Sequence, residues 1–186
     1  MSGTLRRGRV WKFGDHVSGD DGIIDFAAVA TGFGKAFDTE KLRRICFTLL
    51  RPEFPDQVQQ GDIVVAGVNF GHHNHVDASV AMRVSGISVV IVESCESGLV
   101  RRALNVGLPI MTCPGITAAV ADGEILEADP ATGTIRTASG QTLQARPFSP
   151  RMLDIWQAGG VIELLEQEAV RRGEGAALPE PLLPGA

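Results

Sequence analysis

Apolar and polar positions follow three different rules along the chain, and each change of rule marks an element. Continuous runs rich in Val and Ile occur in "GDIVVAGVNF", bounded by Gly61 and Gly71, and in "SVVIVE" over 88–93; such runs predict strands buried on both faces. Between them, "DASVAMRVSG" has the small and apolar residues of a short helix stopped at Gly86. Together they predict a parallel strand–helix–strand crossover, which carries the loop after its first strand to the carboxyl edge of the sheet, where α/β proteins place ligands. Helical spacing recurs in "DTEKLRRICFTLL", with Asp38 or Thr39 as N-cap and Leu42, Ile45 and Leu49 in phase. A further helix is predicted over 97–106, closed by Gly107 and followed by a strand ending at Pro114. Alternation takes over in "GEILEADPATGTIRTASGQTLQA", whose three short segments, separated by "DPATG" and "ASG", predict an antiparallel meander.

At the front, a strand over 9–13 leads into a polar loop dense in Gly and Asp, an apolar stretch at 23–26 and the glycine-punctuated connector "ATGFGKAF". The end reads as helix through "SPRMLDIWQAGGVIELLEQEAVRR", interrupted at Gly159 and Gly160. A length of 186 residues suits one domain, taken as 8–172 between an N-terminal extension, 1–7, and a Pro/Gly-rich tail, 173–186, expected to be disordered.

Composition narrows the function. A net charge of −5 gives no basic field for nucleic acid, and the arginine pairs at 6–7, 43–44 and 101–102 are short and scattered. No apolar run approaches the roughly 18 residues of a membrane helix, and the first residues lack a signal-peptide core, so a cytoplasmic protein is expected. Cys46, Cys95 and Cys113 form no C-x-x-C pair, which suggests neither a disulfide framework nor a zinc ribbon; Cys95 and Cys113 read as buried small side chains. Arg101 and Arg102 read as surface or subunit-contact residues rather than substrate ligands.

The candidate chemistry is concentrated in "NFGHHNHVDAS", residues 69–79, with three histidines and an aspartate inside six residues. Three readings stand at this stage. The imidazoles suit zinc or iron; the loop is a solvated polar connection; or its backbone N–H groups and protonated histidines cradle a substrate carboxylate. Ser79 reads as a helix cap, and Asp77 as a cap or as the carboxylate that orients a neighbouring histidine.

Taken in order, "GRVWKFGDHV", "GDIVVAGVNFG", "SGISVVIVESCESGLVRRALNVGLPIMTCP", "TGTIRTASGQTLQARPFSP" and "AGGVIELL" resemble the small subunit of 3-isopropylmalate dehydratase, itself similar to the swivel domain of aconitase. The resemblance covers roughly residues 8 to 168. It implies an α/β fold of the swivelling β/β/α three-layer type and a large partner subunit that carries an iron–sulfur (4Fe–4S) cluster. The reaction it implies is elimination and re-addition of water on a hydroxy-di- or tricarboxylate, with the small subunit closing over the substrate.

The histidine loop departs from that family, which continues after "NFG" with a cysteine- and glycine-containing turn into Ser-Ser-Arg-Glu. Here the serines and arginine are gone, and counting back from Gly86 makes the loop about one residue shorter. That count puts the serine pair near His73 and Asn74 and the arginine near His75, with Asp77 at or beside the glutamate. The resemblance therefore implies His73, Asn74, His75 and Asp77 as catalytic residues, and Asp15, His16, Asp20, Gly71 and His72 as substrate-binding residues, with no metal held by this chain. The first loop departs too, since His16 stands where the family has asparagine. All four histidines lie in these two loops. An enzyme of this type is the leading expectation. A related lyase or isomerase on another branched or unsaturated dicarboxylate, and a non-catalytic swivel-domain protein that binds a metal or a partner, are the alternatives.

Overall fold

What lies on the two faces of the central strands explains their unbroken apolar runs. In β2 (Ile63–Ala66), Ile63 and Val65 enter one core while Val64 and Ala66 enter another. Val89 and Ile91 of β3 (Val89–Val92) join the first, Val90 and Val92 the second. A strand buried on both sides has no solvent face, so its sequence loses the period of two. The computed structural model, which describes residues 3–29 and 37–173, places these strands at the centre of a seven-stranded sheet.

One half of that sheet is parallel: β1 (Arg6–Lys12) pairs with β2, β2 with β3, and β3 with β4 (Ile110–Thr112). The other half is the expected meander, with β5 (Ile125–Asp129) antiparallel to β1, then β6 (Thr134–Arg136) and β7 (Thr142–Gln144). Leu126, Ala128 and Ile135 of the meander share one core with Val10, Ile63 and Val65, which Ile116 and Trp156 from later helices complete.

The opposite face carries helices α1 (Phe26–Val29), α2 (Thr39–Ile45), α3 (Phe54–Gln57), α4 (Val76–Val84) and α5 (Ser97–Asn105). Its centre is aromatic: Phe13 stacks on Phe47 at 4.2 Å, and Phe54 meets the rings of Trp11 and Phe47 edge-on at 4.7 and 5.0 Å. After α6 (Ile116–Ala119) and the meander come α7 (Pro150–Ala158) and α8 (Val161–Arg171), divided at the two glycines as the sequence predicts. Helices, parallel strands and meander make up the β/β/α swivelling fold.

Several expectations are corrected. β1 begins at Arg6, ahead of the strand expected over 9–13, because the ladder to β5 pairs Arg6 with Ala128. α2 starts as expected, with Asp38 Oδ1 accepting from the Lys41 N–H at 3.0 Å, but it stops at Ile45. Phe47 then takes a left-handed φ of 55°, donates its N–H to the Ile23 carbonyl at 2.7 Å and buries its ring, which leaves Leu49 55% exposed instead of on a helix face. Ser79 does not cap α4: it is fully buried, its hydroxyl has no partner, and His75 holds the N-cap position. The four-residue helices α3 and α6 are too short for periodicity to reveal. The connector over 30–36 and the tail after 173 lie outside the described residues.

Among the described residues, one charged side chain is buried. Asp62 is 4% exposed, and its Oδ2 accepts from Trp11 Nε1 at 2.8 Å, Gln59 N at 3.0 Å and Arg9 Nη2 at 3.1 Å. Asp62→Ala strands the buried Trp11 and Gln59 donors and is expected to cost about 1–3 kcal/mol in urea denaturation. A loss below about 1 kcal/mol would show that the pair behaves like a surface ion pair.

Candidate functional site

Parallel pairing sends the loops after β1, β2 and β3 to one edge, and backbone hydrogen bonds stitch them together beyond the strands. Between the first two loops, His16 N donates to Val68 O at 2.8 Å, Gly71 N to Val17 O at 2.7 Å and Gly19 N to His72 O at 2.8 Å. Phe70 N reaches Ser94 O, in the third loop, at 3.0 Å. The two histidine-bearing loops are therefore one structural unit.

Side chains complete the joint. Asp15 Oδ1 accepts from the Val68 N–H at 2.9 Å, so its carboxylate is a fastening between loops. His16 Nδ1 lies 3.3 Å from Asn69 Nδ2, and His72 Nδ1 lies 3.3 Å from the Asn69 carbonyl. The His72 and His73 rings are 5.0 Å apart. A single wide, π-helical turn over Gly19–Ile23, closed by Ile23 N to Ser18 O at 2.8 Å, carries Asp20, and Ser18 accepts from the Asp20 N–H at its start.

Asp20 Oδ1 meets His75 Nδ1 at 2.9 Å. The imidazole lies flat on Phe26, with centroids 3.8 Å apart and planes 5° from parallel. The ring is thus fixed by a carboxylate at one edge and an aromatic face below, while half of the side chain stays exposed. The carboxylate that engages a histidine is Asp20; Asp77 sits in the first turn of α4, where its charge complements the helix N-terminus.

Asn74 points the other way and is 8% exposed. Its amide nitrogen donates to Gly71 O at 2.7 Å and Glu96 Oε2 at 2.8 Å, and its oxygen accepts from Arg102 Nη1 at 2.8 Å. Arg101 is exposed as expected, whereas Arg102 is half-buried and reaches the loop. Gly71, at φ 69°, packs so closely on α5 that a Cβ would lie 2.3 Å from Leu99 Cδ2.

Sequence reasoning brings together the right loops but misses Phe26, Asn69, Glu96 and Arg102. Phe26, Glu96 and Arg102 carry no local signal, because each meets its histidine or asparagine partner only through the fold; Asn69 lies in the singled-out stretch but carries no chemistry that marks it. Glu93, at the end of β3, is not a free acid. Burial alone would raise its carboxyl, but hydrogen bonds from the Thr117 hydroxyl, Thr117 N–H and Gly115 N–H outweigh this and hold it below the ordinary value.

The cysteines do not fit an iron–sulfur cluster. Cys46 and Cys113 lie in the two cores on opposite faces of the sheet, and burial pushes the Cys46 thiol up to about 12, away from the thiolate that a metal needs. Among the described residues no three His, Cys, Asp or Glu side chains are placed to hold a metal ion.

His73, at φ 46°, is exposed and strained. His73→Gly is expected to raise stability by up to about 1 kcal/mol in thermal or urea unfolding, because glycine takes this conformation without a steric penalty. A loss of stability would show that the ring makes a compensating interaction.

No family model matches the chain. A 3-isopropylmalate dehydratase small subunit from Methanopyrus kandleri is 37% identical over 171 residues, covering 91% of this chain and 97% of that protein. An isopropylmalate/citramalate isomerase small subunit from Methanocaldococcus jannaschii is 35% identical over 89% of this chain and 96% of its own length. The crystal structure of 3-isopropylmalate dehydratase from Methanocaldococcus jannaschii superposes with a TM-score of 0.81, covering 92% of this chain and 99% of that one, at 28% identity. With the fold, the order of segments and these likenesses in agreement, the chain belongs to the family of 3-isopropylmalate dehydratase small subunits.

Proposed function

We propose that the chain is the small subunit of a hydro-lyase acting on an alkyl-substituted malate, and that the His75–Asp20 pair takes the place of the family's proton-transferring serine. The relatives' names share a malate skeleton bearing one alkyl group, isopropyl or methyl, which supports the substrate class. The observation that carries the catalytic reading is the 2.9 Å contact of His75 Nδ1 with Asp20 Oδ1 on the Phe26 face. With Nδ1–H donated to Asp20, the lone pair is on Nε2, in the arrangement of an oriented general base. His75 then removes the proton from the carbon beside a substrate carboxylate as the neighbouring hydroxyl leaves, and returns a proton during rehydration.

Backbone geometry supports a register without a gap. His73 holds a φ that glycine takes freely, so the glycine of the family's turn falls at His73. Asn74 and His75 then occupy the places of the serine pair, Val76 that of the arginine and Asp77 that of the glutamate, in place of the one-residue deletion expected from counting. The lost arginine leaves the substrate carboxylate to His16, His72 and the N-terminus of α4. Asn74, with its amide engaged at both ends, positions the loop and is not itself a catalytic group.

The remaining machinery belongs to a large subunit. The resemblance assigns to it the 4Fe–4S cluster, which supplies Lewis-acid activation of the substrate hydroxyl, and this chain contributes the loops that close the site. A cytoplasmic location follows from that assignment.

His75→Ala is expected to lower turnover of the assembled two-subunit enzyme on a panel of alkylmalates and their unsaturated products by about 100-fold or more, without loss of co-purification. Unchanged turnover would remove His75 from proton transfer.

A further inference from the structure

We infer that Arg102, on α5, is a positioning residue for the reaction: together with Glu96 it grips the two ends of the buried Asn74 amide and so sets where His75 stands. The inference rests on the proposed role of His75. A buried amide needs partners at both ends, and Asn74 has them from opposite charges. The Glu96 carboxylate accepts from its nitrogen at 2.8 Å, and the Arg102 guanidinium donates to its oxygen at 2.8 Å. A flipped amide would set NH2 against guanidinium and oxygen against carboxylate, so only one orientation is tolerated. The second amide proton goes to Gly71 O at 2.7 Å, closing the loop on itself from 71 to 74.

Three glycines allow the pieces to approach this closely. A Cβ at Gly19 would lie 2.6 Å from Asn74 Cβ, one at Gly98 would lie 2.8 Å from Arg102 Nη1, and one at Gly71 would strike Leu99. Asn74 is therefore held between the π-helical turn in front and α5 behind. His75, the next residue, faces Asp20 and Phe26 on the turn side, so any rotation at Asn74 moves the imidazole. Among the described residues Arg102 joins no ion pair, and its guanidinium donates to this neutral amide. Its planar guanidinium suits a fixed direction of donation better than a mobile ammonium would.

The test uses Arg102→Ala and Arg102→Lys, with His75→Ala alongside. In the assembled enzyme, Arg102→Ala is expected to lower kcat about 10- to 100-fold, as a misplaced catalytic group does, with a much smaller change in KM; Arg102→Lys should recover part of the loss. In the free chain, amide exchange over 71–75 should quicken about 10-fold in Arg102→Ala while the strands stay protected. Full kcat in Arg102→Ala, where His75→Ala is impaired, overturns the inference. So does unchanged exchange over 71–75, a readout that stays decisive if His75→Ala itself proves active and the proton-transfer reading fails.

Discussion

The parallel pairing of β1 with β2 is the constraint on which the site depends. Val10 opposite Ile63 and Lys12 opposite Val65 set a register in which both strands run out at the same edge. Because the ladder is carried onward by His16, Gly19 and Gly71, the loops inherit that register. A one-residue slip would exchange the two cores along β2 and part Asp20 from His75. Packing energy and site geometry thus rest on the same alignment, and β1 secures it from both sides by pairing with β5 as well.

Its outcome is a division of labour between neighbouring residues. Asn74 faces backward into Arg102 on α5 and Glu96 at its N-cap, while His75 faces forward to a carboxylate and an aromatic ring. The left-handed φ at His73 redirects the chain just before this pair. Strain of this kind persists where surrounding contacts over-determine it, and here these include the Gly71 carbonyl, Gly19 and α5. The histidine-rich loop between β2 and α4 thereby keeps a defined shape.

How much of this could be read from the sequence depends on the range of the interaction. β2 and β3 were legible because burial on both faces leaves a continuous apolar run, and the meander because its turns carry glycine. The broken end of α2 was not, since Phe47 leaves the helix to bond Ile23 and join an aromatic core assembled from distant segments. Within the site, the two loops could be singled out by their four histidines, but the pairing of Asp20 with His75 spans 55 residues and that of Asn74 with Arg102 spans 28. Asp77 was the nearer candidate in sequence; folding gave the contact to Asp20. Resemblance supplied the family, while the left-handed conformation at His73 is a feature that counting residues does not reveal.

A fold that completes a two-subunit hydro-lyase must hold its large subunit in the cell. Anaerobic purification of the tagged chain from its own cells tests it most directly, with the retained proteins identified by mass spectrometry and the eluate assayed for iron and sulfide. One large subunit at a one-to-one ratio, bringing iron and sulfide with it, is the predicted result. A chain that emerges alone and free of iron would rule out the two-subunit hydro-lyase.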